Sequence, residues 1–179
     1  IIIATGSKPQ ALSHLNKSHP SILDSTSALN FQKIPKKLLV IGGGYIGLEL
    51  GSVFDSLGSK VTVAEFLPTL LSMADEDLVK YLFDKLNKRF VNIYLSTEVT
   101  SLVPQNNNSV VASFKTIDKV FKDSFDNVLI CAGRVPNTLN ISIEKTGIKL
   151  DEKGFIPVNI QRRTLIPNIY AIGDVIGDP

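Results

Sequence analysis

The sequence predicts an α/β fold in three layers: a parallel sheet, helices on one of its faces and an antiparallel β-meander on the other. Three observations predict it. Apolar, β-branched runs at Lys37–Ile41 and Lys60–Ala64 flank a glycine turn and a helical pattern, the whole spanning about thirty residues, the size of a βαβ unit. A second amphipathic helix and a third apolar run follow over 75–95. The rhythm then changes to short alternating runs joined by compact turns, which suits antiparallel pairing.

Taken in order, residues 1–4 form a short apolar strand, closed by Thr5-Gly6-Ser7-Lys8-Pro9. Residues 10–35 are polar and turn-rich, punctuated by Pro20 and Pro35, and read as a crossing between domains. A helical turn starting at Asp24 or Ser25 carries Ala28 and Leu29. Residues 45–57 have helical spacing, with Ile46, Leu50, Val53, Phe54 and Leu57 on one face and Gly58 as the stop. Residues 75–87 form the second helix, striped with Leu78, Val79, Leu82, Phe83 and Leu86, its acidic residues Asp75, Glu76 and Asp77 at the positive end of the dipole. A strand follows at 91–95. The meander is expected at 99–103, Val110–Lys115 and 119–122, with Asn106-Asn107-Asn108 as one turn. Residues 127–131 return as a buried strand, and short strands are expected at 155–156 and 168–172.

Composition narrows the function classes. Hydrophobic residues make up 44% of the 179, with no run long enough to span a bilayer, and the net charge of +2 is spread thinly. Neither a nucleic-acid nor a membrane-surface partner is expected. Cys131 stands alone, so neither a disulfide framework nor a CxxC pair is present, and His14 and His19 do not make a metal cluster. The opening Ile1-Ile2-Ile3-Ala4 lacks a Met and a basic stretch, so no signal peptide is expected, and it reads as a strand cut open in a piece of a longer chain.

The chemistry-bearing motif is Gly42-Gly43-Gly44-Tyr45-Ile46-Gly47, a G-x-G-x-x-G between a strand and a helix. Gly42 permits the tight turn, Gly44 lets a pyrophosphate approach the backbone, and Gly47 lets the helix pack close. The phosphates would meet free N–H groups and the helix dipole. Glu65 ends the next strand, roughly twenty residues on, where a carboxylate accepts from both ribose hydroxyls of NAD and repels a 2′-phosphate. Residues 65–77 contain no Lys or Arg, which favours NAD over NADP. The fold is thus expected to be Rossmann-like. The alternative is a structural turn with a solvated Glu.

Three further segments resemble known motifs. Ile2-Ile3-Ala4-Thr5-Gly6-Ser7-Lys8-Pro9 resembles the ATG motif of two-dinucleotide flavoproteins, and Cys131-Ala132-Gly133-Arg134-Val135-Pro136-Asn137-Thr138 resembles their GRxPN motif. Thr164-Leu165-Ile166-Pro167-Asn168-Ile169-Tyr170-Ala171-Ile172-Gly173-Asp174 resembles the segment that touches FAD. In this order they resemble the pyridine nucleotide–disulfide oxidoreductase family. Leu48-Glu49-Leu50 and Met73-Ala74-Asp75-Glu76-Asp77-Leu78-Val79-Lys80 are most similar to its dihydrolipoamide dehydrogenase branch, with mercuric reductases and NADH oxidases as alternatives within the family. A non-catalytic dinucleotide module is the alternative outside it, and the flavin-side motifs argue against that.

The resemblance implies roles. Gly42, Gly43, Gly44, Tyr45, Ile46 and Gly47 would hold NAD, Glu65 its adenosine ribose, Val99 the adenine side and Gly133 the nicotinamide half. Glu49 would hold the nicotinamide end near the flavin; its alternative is an exposed or paired surface acid. Tyr45 is either a ring covering the flavin or a half-buried packing ring. Thr5, Gly6 and Ser7 would pass close to FAD, and Asp174 would accept from its ribitol. Arg134 reads as structural, tied to a nearby carboxylate or carbonyl, and Cys131 as a small core residue. The resemblance divides the chain into residues 1–35 (end of an FAD domain and the crossing), 36–155 (an NAD-binding domain) and 156–179 (a return into the FAD domain). The family's C-x-x-x-x-C redox pair, its first GxGxxG and its His–Glu pair are not in this sequence, so no catalytic residue is assigned, and the chain by itself is expected to show no turnover, to bind NAD weakly and not to retain flavin. For the whole protein the resemblance implies FAD, a homodimer, dihydrolipoyl domains of 2-oxo acid dehydrogenase complexes as partners, and either the bacterial cytoplasm or the mitochondrial matrix, between which the sequence does not choose.

Overall fold

The computed structural model describes residues 1–15 and 18–177. The parts of the expected crossing and of the expected C-terminal return at 16–17 and 178–179 lie outside the described residues. Two compact units form: Ile1–Gln10 with Arg134–Pro179, and Ala11–Gly133. The units part after Gln10 and after Gly133.

In chain order the elements are β1 (Ile2–Ile3), β2 (Ser7–Pro9), β3 (Ile22–Asp24), α1 (Ser25–Leu29), β4 (Lys37–Ile41), α2 (Tyr45–Ser56), β5 (Lys60–Ala64), α3 (Glu76–Asn87), β6 (Asn92–Tyr94), β7 (Glu98–Pro104), β8 (Val110–Lys115), β9 (Val120–Phe125), β10 (Asn127–Ile130), β11 (Arg134–Pro136) and β12 (Tyr170–Ala171). Single 3₁₀ turns occupy Ile143–Thr146 and Gly173–Ile176.

The Ala11–Gly133 unit is built on a five-stranded parallel sheet of order β3-β10-β4-β5-β6. Apart from Lys37, Lys60, Thr62 and Asn127, its central strands β10, β4 and β5 are apolar, because both faces are covered. Side chains alternate sides along a strand, and β4 shows the result. Leu38 and Val40 enter one core with Leu48 and Phe54 of α2, Val79 and Leu86 of α3, and Val61 and Val63 of β5. Leu39 and Ile41 enter the other with Val99, Leu102, Val110, Ala112 and Phe114 of the meander. The three layers are therefore as the sequence predicts. The meander β7-β8-β9 is antiparallel, with a bulge between Val99 and Ser101.

The buried face of α2 differs from the one read by counting apolar residues. Gly47, Leu48, Gly51 and Phe54 are buried, while Val53 and Leu57 are 52% and 56% exposed. Gly47 lets the helix approach the sheet, and a hydrophobicity count passes over glycine. On α3, Val79 and Leu86 are buried and Leu82 and Phe83 partly so. Leu78 faces solvent, because it lies about 100° round the helix from Val79. Asp24 caps α1: its carboxylate accepts from the Ser27 N–H, which holds its pKa below the usual value, and the Ser27 hydroxyl accepts from the Asp24 N–H.

In the other unit β1 pairs in parallel with β12, and β2 pairs antiparallel with β11. Its core gathers Ile143, Ile148, Ile156, Ile169, Ala171 and Val175. The strand expected at 155–156 does not form. The Phe155 carbonyl accepts from the Asp151 N–H and the Ile156 N–H donates to the Val175 carbonyl, and these isolated bonds make no ladder. The strand expected at 168–172 shortens to two residues.

Candidate functional site

The glycine turn leaves the carboxyl end of β4 and opens α2. Ligands bind at this edge of open parallel sheets, where strand order reverses. Here β5 lies on one side of β4 and β10 on the other. Gly42 has φ +107°, and a Cβ on it would meet the Cys131 carbonyl oxygen, so only glycine fits. Its N–H donates to the Ala64 carbonyl at 2.9 Å, fixing the turn against the end of β5. A Cβ on Gly43 would lie 2.5 Å from Leu70 Cδ2. Gly47 packs against the Gly42 carbonyl oxygen and, at 3.1 Å from the position of an added Cβ, Val40 Cγ1.

Gly44 is different. Its backbone is extended (φ −78°, ψ 174°), a conformation open to any residue, and nothing lies within 4 Å of where its Cβ would be. Nothing in the described fold requires glycine there. The space in front of it borders the amino end of α2, which no side chain among the described residues caps. The first N–H groups of a helix have no intrahelical acceptor, so this end suits an anion.

Glu65 follows β5 directly. Its Oε2 accepts from the Gly43 N–H at 2.5 Å and its Oε1 from the Leu67 N–H at 2.7 Å. The Gly43 carbonyl in turn accepts from the Leu71 N–H at 3.0 Å. A carboxylate offers about four acceptor positions, so further hydroxyl donors can still be accommodated. The amide partner Leu67 and the packing partner Leu70 were not legible as part of the site, and Gly43 was legible only as part of the glycine motif, since a backbone donor leaves no mark on residue type.

Tyr45 is 64% exposed, Glu49 is exposed and Ile46 is half-buried, all on the first turns of α2. The Val99 side chain is buried between sheet and meander, so any contact it makes at a ligand falls to its backbone. Gly133, at φ +128°, ends the unit. Cys131 is half-buried against the helix-side core; burial, with a smaller effect from the Asp24 carboxylate, pushes its thiol up to about 12. That makes it a packing residue with little nucleophilic character. His14 is exposed, and the His19 Nδ1 accepts from the Ser21 N–H at 3.2 Å. Among the described residues no group of three potential metal ligands comes together.

The other unit assembles its own cluster. Arg134 donates from Nε to the Ser7 hydroxyl oxygen at 2.6 Å and from its terminal nitrogen to the Ser7 carbonyl at 2.7 Å. The Ser7 hydroxyl donates to Asp174 Oδ2 at 2.6 Å, with the Arg134 Nε 3.7 Å from the same oxygen. Arg134 is thus tied to a carbonyl and a carboxylate, as the sequence reading has it. Asn137 brackets Thr5 and Gly6: its Nδ2 donates to the Thr5 carbonyl at 3.0 Å, its N–H donates to the Gly6 carbonyl, and its own carbonyl accepts from the Thr5 hydroxyl. Gly6 and Gly173 both have positive φ, at +68° and +75°. Thr5, Gly6, Ser7 and Asp174, far apart in sequence, are therefore brought together within one unit. Asn137 belongs with them, and the GRxPN pattern was the signal that could have marked it.

A family model described as pyridine nucleotide-disulphide oxidoreductase matches residues 1–179. The chain is 42% identical over 178 residues to a dihydrolipoyl dehydrogenase of Vibrio parahaemolyticus, covering 99% of the chain and 37% of the relative. It is 41% identical over 185 residues to a mitochondrial dihydrolipoyl dehydrogenase of Dictyostelium discoideum, again covering 37% of the relative. Among solved structures, the HOCl-induced flavoprotein disulfide reductase RclA of Escherichia coli superposes with a TM-score of 0.87 at 32% identity, over 99% of this chain and 40% of that one. The chain thus spans well under half the length of these relatives.

Proposed function

Since the chain belongs to the pyridine nucleotide-disulphide oxidoreductase family, we propose that its Ala11–Gly133 unit holds NAD and positions it for hydride exchange with a flavin. The observation that carries the reading is Gly44: a glycine with ordinary backbone angles and open space before it, at the uncapped start of a helix. A side chain there would fill the seat that a pyrophosphate needs.

In this reading the residues divide the work. The amides at the start of α2 hold the pyrophosphate, and Gly42 and Gly47 let turn, strand and helix come close enough to form the seat. Glu65 accepts from the adenosine ribose hydroxyls and its charge opposes a 2′-phosphate, which favours NAD. Val99 contributes backbone on the adenine side, and Gly133 and Glu49 border the nicotinamide half. Tyr45, exposed on the first turn, is placed to move against a bound ligand. In the second unit, Thr5, Gly6, Ser7 and Asp174 contribute to holding FAD, with Asp174 accepting from the ribitol. The cofactors supply the hydride chemistry; the protein binds and orients them.

The similarity to dihydrolipoyl dehydrogenases supports one further step. The longer protein would oxidise protein-bound dihydrolipoyl groups of 2-oxo acid dehydrogenase complexes, as a homodimer. Calorimetric titration of the 179-residue chain with NADH and NADPH tests the nucleotide reading. Binding of NADH with little or no binding of NADPH is expected. A preference for NADPH overturns the role of Glu65, and no binding of either overturns the site.

A further inference from the structure

Both carboxylate oxygens of Glu65 are already engaged by the chain itself. One accepts from the amide of the glycine turn, Gly43, and the other from the amide of the loop after β5, Leu67. The loop returns the contact, because Leu71 donates to the Gly43 carbonyl and Leu70 lies against the Gly43 Cα. Leu70 is 1% exposed and belongs to the helix-side core, while Leu71 holds a left-handed φ of +44° that is costly for a branched residue. A buried anchor, a left-handed residue and two hydrogen bonds thus converge on one glycine, and a third bond, from the Leu67 amide, holds the same carboxylate. Only one titratable side chain takes part, and it ties the two segments together.

We propose that Glu65 is a positioning residue for the phosphate seat as well as a partner for the sugar: its carboxylate ties the glycine turn to the loop 66–71 and so holds the amide face on which a pyrophosphate rests. The inference rests on the reading of this turn as a dinucleotide site. Electrostatics by itself gives the opposite expectation. A carboxylate beside an anion seat repels the anion, so removing its charge should tighten binding. The tie reverses the sign. Glutamine keeps one acceptor oxygen but turns an NH₂ toward an N–H, so one of the two bonds becomes a clash of donors.

Glu65→Gln separates the two effects when tested with two ligands, NADH and an NADH analogue lacking both hydroxyls of the adenosine ribose. The analogue cannot use Glu65 as a sugar partner. The expected result is that the variant still weakens binding of the analogue, by about fivefold. Unchanged or tighter analogue binding overturns the proposal while leaving the sugar contact intact. Amide hydrogen exchange on the ligand-free chain gives a second readout that does not depend on nucleotide binding. In the variant, the Leu71 amide, which does not touch Glu65, should exchange at least about tenfold faster while amides of β4 and β5 keep their protection. An unchanged Leu71 amide overturns the tie. A chain that binds neither ligand, yet shows the Leu71 effect, refutes the dinucleotide reading and retains the clasp.

Discussion

Gly47 lies so close beneath Gly42 that a side chain on the helix residue would overlap the carbonyl oxygen of the turn residue. Gly51, one turn further along α2, is also buried, but a Cβ there would meet Phe90, Val40 and Val61 only at ordinary contact distances of 3.5–3.6 Å. The two glycines should therefore respond in opposite directions. Gly47→Ala should destabilise the chain by about 2 kcal/mol, because backbone has to move. Gly51→Ala should be neutral or stabilise by up to about 1 kcal/mol, through the lower entropy of alanine in the unfolded chain. Urea denaturation of the two variants decides it, and a Gly51→Ala loss as large as that of Gly47→Ala would count against the packing described.

Gly44→Ala should leave the fold intact and remove the ligand. The residue occupies the N-cap position of α2, where alanine in place of glycine costs at most about 1 kcal/mol. The added methyl would stand in the open space before the helix, so NADH affinity should fall at least about tenfold. Thermal melting and calorimetry on one preparation report both quantities. Unaltered NADH binding would remove the observation on which the proposed function rests.

The Cys131 thiol should make stability depend on alkaline pH. Burial raises its pKa from 9.0 in the unfolded chain to about 12 in the folded one. The unfolded state therefore gives up its proton first, and the stabilisation from the buried neutral thiol, complete below pH 9, is lost as pH rises towards 12. Wild type should lose stability relative to Cys131→Ala over that window, measured by denaturation at pH 8 and pH 10.5. Parallel curves for the two proteins would show that the thiol does not carry the effect. At pH 8 the same thiol should alkylate far more slowly in the folded chain than in urea.

Arg134→Ala should loosen the smaller unit by about 1–2 kcal/mol, since two charge-assisted bonds to Ser7 are lost. The ion pair with the exposed Asp174 carboxylate, at 3.7 Å, adds little. Lysine should not restore it, because a single ammonium cannot reach the Ser7 hydroxyl and carbonyl in the same fork. Exchange of the Ala171 amide, in the core of that unit, is a suitable local probe.

How much of this was legible follows from what each position demands of its side chain. β4, β5 and β8 have the bounds their apolar runs announce, because burial selects β-branched and apolar residues along the whole strand. β3 is three residues long, with no alternation to reveal it, and exists through its pairing with β10. β2 and β11 each carry a proline, Pro9 and Pro136, so both look like turn rather than strand. The glycine motif and Glu65 were visible because their spacing is a recognisable pattern and because close backbone contacts at Gly42 and Gly47 admit only glycine. The hydrogen bonds that Glu65 accepts from the Gly43 and Leu67 amides were not, because any residue but proline supplies that donor.

The placement of β10 has a consequence for the nascent chain. It lies between β3 and β4, pairing Val128 with Ile22 on one side and with Leu39 on the other. A ribosome thus releases β3 about a hundred residues before β10, the strand that pairs with it among the described residues. Until then β3 and the near edge of β4 face a gap, and the last strand of the unit to be synthesised slots into the interior of the sheet.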